Sequence, residues 1–227
     1  MGPRFCGGRC KSISPPAQTV EAARMAVAGG TDVLAAQGNE SGGHTGVMNL
    51  LPFLVRLLEE FPNVPVVAAG GISHGRSLAG VLAAGADGAW MGTAFMATEE
   101  DDEVPSAQKE LIVGSHGDDT IYTQVFDIVN AAVTGGAPWA EGITGRAFNN
   151  SFAQEWHGRE AELRDRLDEV VPAYIEARER GDFDVAHTWM GQSAAFIHSV
   201  RPAAEVLRNI CDEAEQQLRR RTAEVVK

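Results

Sequence analysis

Three short runs of mostly apolar residues constrain this chain more than anything else in it. They are Asp32 to Gln37 (DVLAAQ), Val64 to Ala69 (VPVVAA) and Gly88 to Met91 (GAWM), and the first two lead into turns and helix-like stretches. None shows the in–out alternation of a sheet with one wet face. Strands that are apolar throughout suit a parallel sheet covered on both sides. The segments between them read as helices. Thr19 to Ala28 carries Val20, Ala23, Met25 and Ala26 and closes at Gly29-Gly30. Leu50 to Phe61 sets Leu51, Leu54, Leu57 and Leu58 on one face, with Arg56, Glu59 and Glu60 opposite, and ends at Pro62. Ser73 caps a third helix, whose Leu78, Val81 and Leu82 run to a stop at Gly85. A weaker strand is expected near Lys11 to Ser14. The order predicts a parallel α/β architecture.

The pattern changes after Glu99. The acidic run Glu99 to Glu103 reads as a solvated helix start, and residues 117–150 read as irregular, with Gly135-Gly136 and Pro138 as breakers. Trp156 to Arg180 predicts one exposed helix with an internal Pro172. Arg201 to Arg220 predicts another, opened by Pro202 and buried along Val206, Leu207, Ile210, Ala214 and Leu218. A net charge of −12 over 227 residues opposes nucleic-acid or anionic-membrane binding. No apolar run reaches the roughly 20 residues of a membrane span, and the N-terminus has no secretory core, so a cytoplasmic setting is expected. Cys6 and Cys10 have no second pair at zinc spacing, so no metal is expected, and Cys211 reads as helix packing.

Three loops carry the candidate chemistry. The first, Gln37 to Gly46, follows DVLAAQ and holds four glycines in its last nine residues, which lets the backbone approach a ligand closely. It also holds His44, an imidazole suited to taking a proton at working pH. An isolated loop of this kind is equally well a glycine-rich turn with an incidental histidine. The second, Ala69-Gly70-Gly71-Ile72-Ser73, feeds a helix N-terminus, where free amides and the helix dipole favour an anion. The third is Trp90-Met91-Gly92-Thr93, in which Thr93 offers a hydroxyl and an amide. Loops after the last strands of a (β/α) barrel commonly form a phosphate site, so the three together say more than each alone.

AQGNESGGHTG, PVVAAGGISHGRSLAGVLAAGADGAWMGTAF and the later WMGQSAA resemble the nitronate monooxygenase family, formerly the 2-nitropropane dioxygenases. The resemblance implies the C-terminal half of a (β/α)8 TIM barrel, about four strands, followed by a helical C-terminal region. It divides the chain into an irregular residues 1–14, a barrel half over 15–116 and a loop and helical region over 117–227. It implies FMN as cofactor, held by Gln37, Gly42, Gly43, Gly70, Gly71, Trp90, Met91, Gly92 and Thr93. His44 would be the base that removes the proton α to a nitro group, and Gln192 would lie nearby. The partners implied are a nitronate or nitroalkane and O2, and the open edges of a cut barrel lead us to expect either a homo-oligomer or poor solubility. A full barrel needs about 250 residues, so a truncated chain is expected.

Two rival readings share these loops: a flavin-dependent enoyl-ACP reductase, and an inactive half-barrel that serves as a binding module. His74 stands beside the expected phosphate. His116, His157, His187 and His198 read as surface or packing residues.

Overall fold

The computed structural model describes residues 12–136, 139 and 143–226. Cys6 and Cys10, and most of the irregular residues 1–14, lie outside the described residues, as do Pro138 and Lys11. Three strands, β1 (Leu34–Gln37), β3 (Val66–Ala69) and β4 (Gly88–Trp90), form a parallel sheet in the order β1-β3-β4. Ile13 and Ala17 add isolated parallel bridges to Val33 and Ala36 on the outer side of β1. The weak first strand is thus a pair of bridges, and Pro15 and Pro16 lie between them without the N–H groups a ladder needs. The fold is α/β, as the uniformly apolar strands imply.

Helices α1 (Val20–Ala28), α2 (Leu50–Glu60) and α3 (Gly75–Ala83) cover this sheet. Thr19 caps α1 by accepting from the Ala22 N–H at 3.1 Å. α2 buries Leu50, Phe53, Leu54 and Leu57 against the strands, each worth roughly 1.5–3 kcal/mol. Leu51 is exposed instead, because the buried stripe runs along 50, 53, 54 and 57 and leaves position 51 outside it. The cap of α3 is His74 rather than Ser73: its Nδ1 accepts from the Arg76 N–H, and Ser77 completes the box. Ser73 turns inward and donates to the Ser193 carbonyl at 2.5 Å.

The described residues of 117–150 are not irregular. Strands β5 (Thr120–Thr123) and β6 (Thr144–Phe148) flank α6 (Val125–Thr134), and β2 (Gly43–Thr45) joins them in an antiparallel sheet of order β2-β6-β5. α4 (Thr93–Met96) follows β4 directly, and α5 (Ser106–Gly114) starts beyond the acidic run. In that run, Glu100 accepts from the Ala203 N–H rather than opening a helix of its own. The expected single helix over 156–180 is three: α7 (Ser151–Trp156), α8 (Glu160–Asp165) and α9 (Leu167–Glu179). They bury Trp156, Leu163, Tyr174 and Ala177, so this stretch is half core. Gly158, with φ +82°, makes the first break.

α10 (Ala203–Val225) packs lengthwise on α3. It buries Ile210 and Ala214, with Val206 and Leu218 partly covered, while Leu207 and Cys211 face solvent. The narrow stripe at 206, 210, 214 and 218 is a helix resting on one neighbour, which leaves 207 and 211 off the contact.

Candidate active site

The two sheets meet at the first glycine-rich loop. β1 delivers Gln37 to the carboxyl end of the parallel sheet, and after five intervening residues the chain enters the antiparallel sheet at Gly43. Several contacts fasten that loop. Gly38 donates to the Ala69 carbonyl at 2.9 Å and Asn39 to Met48 at 2.8 Å. The Glu40 carboxylate accepts from the Leu50 N–H at 2.9 Å, capping α2 where Asn49 supplies no side-chain bond. Another is Arg146 on β6, which donates through Nε to the Asn39 carbonyl at 2.9 Å and through Nη2 to Asn39 Oδ1 at 2.7 Å. Burial holds the Arg146 pKa below its ordinary value, and the charge of Glu40 opposes that shift.

A cavity of 220 Å³ opens at the carboxyl ends of β1, β3 and β4. From the first loop it is lined by Gln37, Gly42 and Gly43, from the second by Gly70 and Gly71, and from the third by Trp90, Met91, Gly92 and Thr93. The nine residues singled out for one ligand therefore share one wall. Ser41, Trp189, Gly191 and Ser193 line it as well. None of the lining side chains carries a charge. Among the described residues, the backbone N–H groups of Gly71, Ile72, Gly92 and Thr93 have no acceptor. The Ser41 hydroxyl is buried without a partner among them. A Cβ at Gly43 or Gly92 would meet nothing within 4 Å, so both glycines border open space. The Thr93 hydroxyl is committed elsewhere and accepts from the Gly191 N–H at 3.0 Å.

The first turn of α3, in contrast, is already supplied with an anion. Glu213 of α10 accepts from the Gly75 N–H at 3.0 Å and lies 3.3 Å from His74 Nε2. The free amides are those of the loop before it, and His74 is a helix cap. Gln192 is exposed and lies off the cavity wall, with its N–H given to the Glu40 carbonyl at 3.0 Å.

His44 stands beside the cavity rather than in its wall. It pairs with Gly145 across the antiparallel sheet, and its carbonyl accepts from Gln18 Nε2 at 2.6 Å. The ring stacks on Trp139 with centroids 3.9 Å apart and tilts against Trp189 at 5.0 Å. Nε2 lies 2.5 Å from Oδ1 of Asp127, on the first turn of α6. An ionised carboxylate only accepts, so this contact puts the proton of neutral His44 on Nε2 and the free lone pair on Nδ1. Sequence reasoning missed Asp127, Arg146 and Trp189. Asp127 reads as an ordinary acid in a helix first turn and lies 83 residues from its partner. Deeper still, Tyr174 and His187 share a 2.5 Å hydrogen bond. Burial pushes the Tyr174 hydroxyl up to about 12 and the His187 imidazole down to about 4.

An α/β protein with an uncharged, glycine-lined cavity at the carboxyl ends of parallel strands is the class that the fold and site define. The chain belongs to the nitronate monooxygenase family, whose family model matches residues 10–213. A nitronate monooxygenase of Neurospora crassa is 32% identical over 89% of this chain and 53% of its own length. The structure of FabK from Thermotoga maritima superposes with a TM-score of 0.78 at 28% identity, covering 94% of this chain and 63% of that one. A nitroalkane oxidase structure from Streptomyces ansochromogenes gives 0.71 at 31% identity, covering 91% and 58%. The chain spans about half the length of the curated relatives it matches. No helix among the described residues is long and apolar enough to cross a membrane.

Proposed function

We propose that this chain is the cofactor-binding half of an FMN-dependent oxidoreductase that converts alkyl nitronates and O2 into a carbonyl compound and nitrite. In this reading the parallel sheet and the bridged segment 12–17 are the C-terminal strands of a (β/α)8 barrel, and residues 117–227 pack on it. The observation that carries the reading is the set of unbonded amides at Gly71, Ile72, Gly92 and Thr93 around one uncharged cavity. Converging N–H groups hold a phosphate without a cation. The bare faces of Gly43 and Gly92 let a ligand lie against backbone, and the orphaned Ser41 hydroxyl is a further polar group in the wall. A volume of 220 Å³ falls short of the roughly 300–1,000 Å³ of small-molecule pockets. It suits the phosphate end and part of a ring system, and the exposed Trp90 borders the uncovered remainder.

FMN, when bound, supplies the electron acceptor and the reaction with O2. The chain's own residues hold it and move one proton. His44 takes the proton α to the nitro group at Nδ1, while Asp127 holds Nε2 and the stacked Trp139 shields the ring. Two assays test this on the full chain. Flavin fluorescence is quenched as FMN is titrated in, and His44→Ala loses turnover of neutral nitroethane while keeping that of preformed ethyl nitronate. Equal loss on both substrates would remove His44 from the proton step.

The likeness to FabK favours one second reading, reduction of an enoyl thioester. NAD(P)H oxidation driven by crotonyl thioester, without nitronate oxidation, would establish it instead.

A further inference from the structure

A second cavity, of 270 Å³, lies behind the second glycine-rich loop, among the start of α3, α4, residues 196–201 and α10. Ser73 lines it, while Ser193, which accepts from the Ser73 hydroxyl, lines the first cavity, and the two cavities share no residue. Its floor is apolar: Ala97, Ile197 and Ile210 are all buried. Its ends differ in charge. At one end Glu213 accepts from the Gly75 N–H at 3.0 Å and lies 3.3 Å from His74 Nε2, so its carboxylate is already served. At the other end stands Arg201, just ahead of α10. Val206 and Glu213 both line the cavity from α10, and at 1.5 Å per residue about 10 Å of helix lies between them. That is close to the Debye length at physiological salt, so Glu213 repels an anion at the Arg201 end only weakly.

The Arg201 end carries free donors. Its Nε donates to the Ser199 hydroxyl at 2.7 Å, and Nη1 lies 3.5 Å from Glu205. Both members of that ion pair are nearly half exposed, at 45% and 47%. A pair so wetted contributes little, which leaves the guanidinium open to another carboxylate. The side chains of His198 and Asn209 line the same cavity and have no hydrogen-bond partner among the described residues. We propose that this cavity is a second ligand site, which binds a small monocarboxylate with a compact apolar body. Arg201, His198 and Asn209 hold the carboxylate, and the body lies on Ala97, Ile197 and Ile210. The fixed fork of a guanidinium matches a carboxylate. The volume falls just under the roughly 300 Å³ at which small-molecule pockets begin, which restricts the body to about one ring. A second carboxylate at the far end of such a ring is turned towards Glu213 and is disfavoured. The inference is independent of the nitronate reading, because none of these residues touches the first cavity.

Benzoate and its neutral isostere benzamide are titrated into the full chain by calorimetry. Benzoate binds at least about tenfold more tightly, because the amide forfeits the charged hydrogen bonds. Arg201→Met keeps the aliphatic stem and removes the guanidinium; it brings benzoate down to the affinity of benzamide and leaves benzamide unchanged. His198→Ala weakens benzoate in the same direction. Both side chains are exposed, so both variants melt with the parent chain. Benzoate that does not bind, or binds no better than benzamide, overturns the carboxylate site. Benzoate affinity unchanged in both variants puts the ligand elsewhere on the chain and overturns it as well. Terephthalate binding as tightly as benzoate overturns the limit to one carboxylate.

Discussion

Gly71 and Gly92 border the same cavity, yet a side chain at each would act differently. Gly71 has φ +67°, a conformation that a β-branched residue adopts only with strain. Gly92 has φ −105° and open space where a Cβ would go. Gly92→Val is therefore expected to weaken FMN binding roughly tenfold or more by filling the approach, with a melting temperature close to that of the parent chain. Gly71→Val is expected to cost about 1–3 kcal/mol of fold stability before any ligand is added. Thermal melts beside flavin titrations distinguish the two, and a stable Gly71→Val would contradict the strain argument. His187 carries a different expectation. Its folded pKa of about 4 lies below the ordinary 6.5, so the fold favours the neutral ring. The unfolded chain then binds more protons between those values, and stability falls as pH drops from 6.5 towards 4. The loss is on the order of 3 kcal/mol. Urea unfolding at pH 7 and pH 4.5 measures it, and His187→Gln should flatten that part of the profile.

Among the elements, the parallel sheet was the legible part, and the reason is chemical. Strands covered on both faces must be apolar throughout, and runs such as VPVVAA leave few other choices. The antiparallel sheet was not legible. Its strand β6 contains Gly145 and a buried Arg146, which look like loop residues until their partners are seen. Those partners, Trp189 and Asn39, lie far along the chain, and no local period encodes them. The β-prone TIYT of β5 was the one usable signal there. Likewise the three loops could be drawn together from their order along parallel strands, but the Asp127 contact to His44 could not. Arg146 is the tie between β6 and the glycine-rich loop, through two hydrogen bonds from a charged donor. Bonds of that kind contribute about 1.5–3 kcal/mol each, so Arg146→Met is expected to destabilise the fold by about 3–6 kcal/mol. It should also loosen FMN retention, because the loop that carries Gly42 and Gly43 loses its anchor. An unchanged melting temperature in that variant would show that Glu40 and Asn39 hold the loop without it.

At the scale of the whole molecule, one apolar core surrounds the parallel sheet and α1 to α3, a second joins β6 to α6 through α9, and a third gathers α4, α5 and residues 190–197. The first two of these cores are joined at the site, because residues 38–42 run from the end of one sheet to the start of the other. Neither core can melt without pulling this short joint out of register, and that has a calorimetric consequence. Heating should give a single endotherm whose directly measured enthalpy equals its van't Hoff enthalpy, as for one cooperative unit. A ligand seated at the joint should raise that one transition as a whole, by about 2.7 kcal/mol at a hundred times its dissociation constant. Two endotherms, only one of them moved by FMN, would mean that the joint transmits no strain and that the halves of this chain fold as strangers.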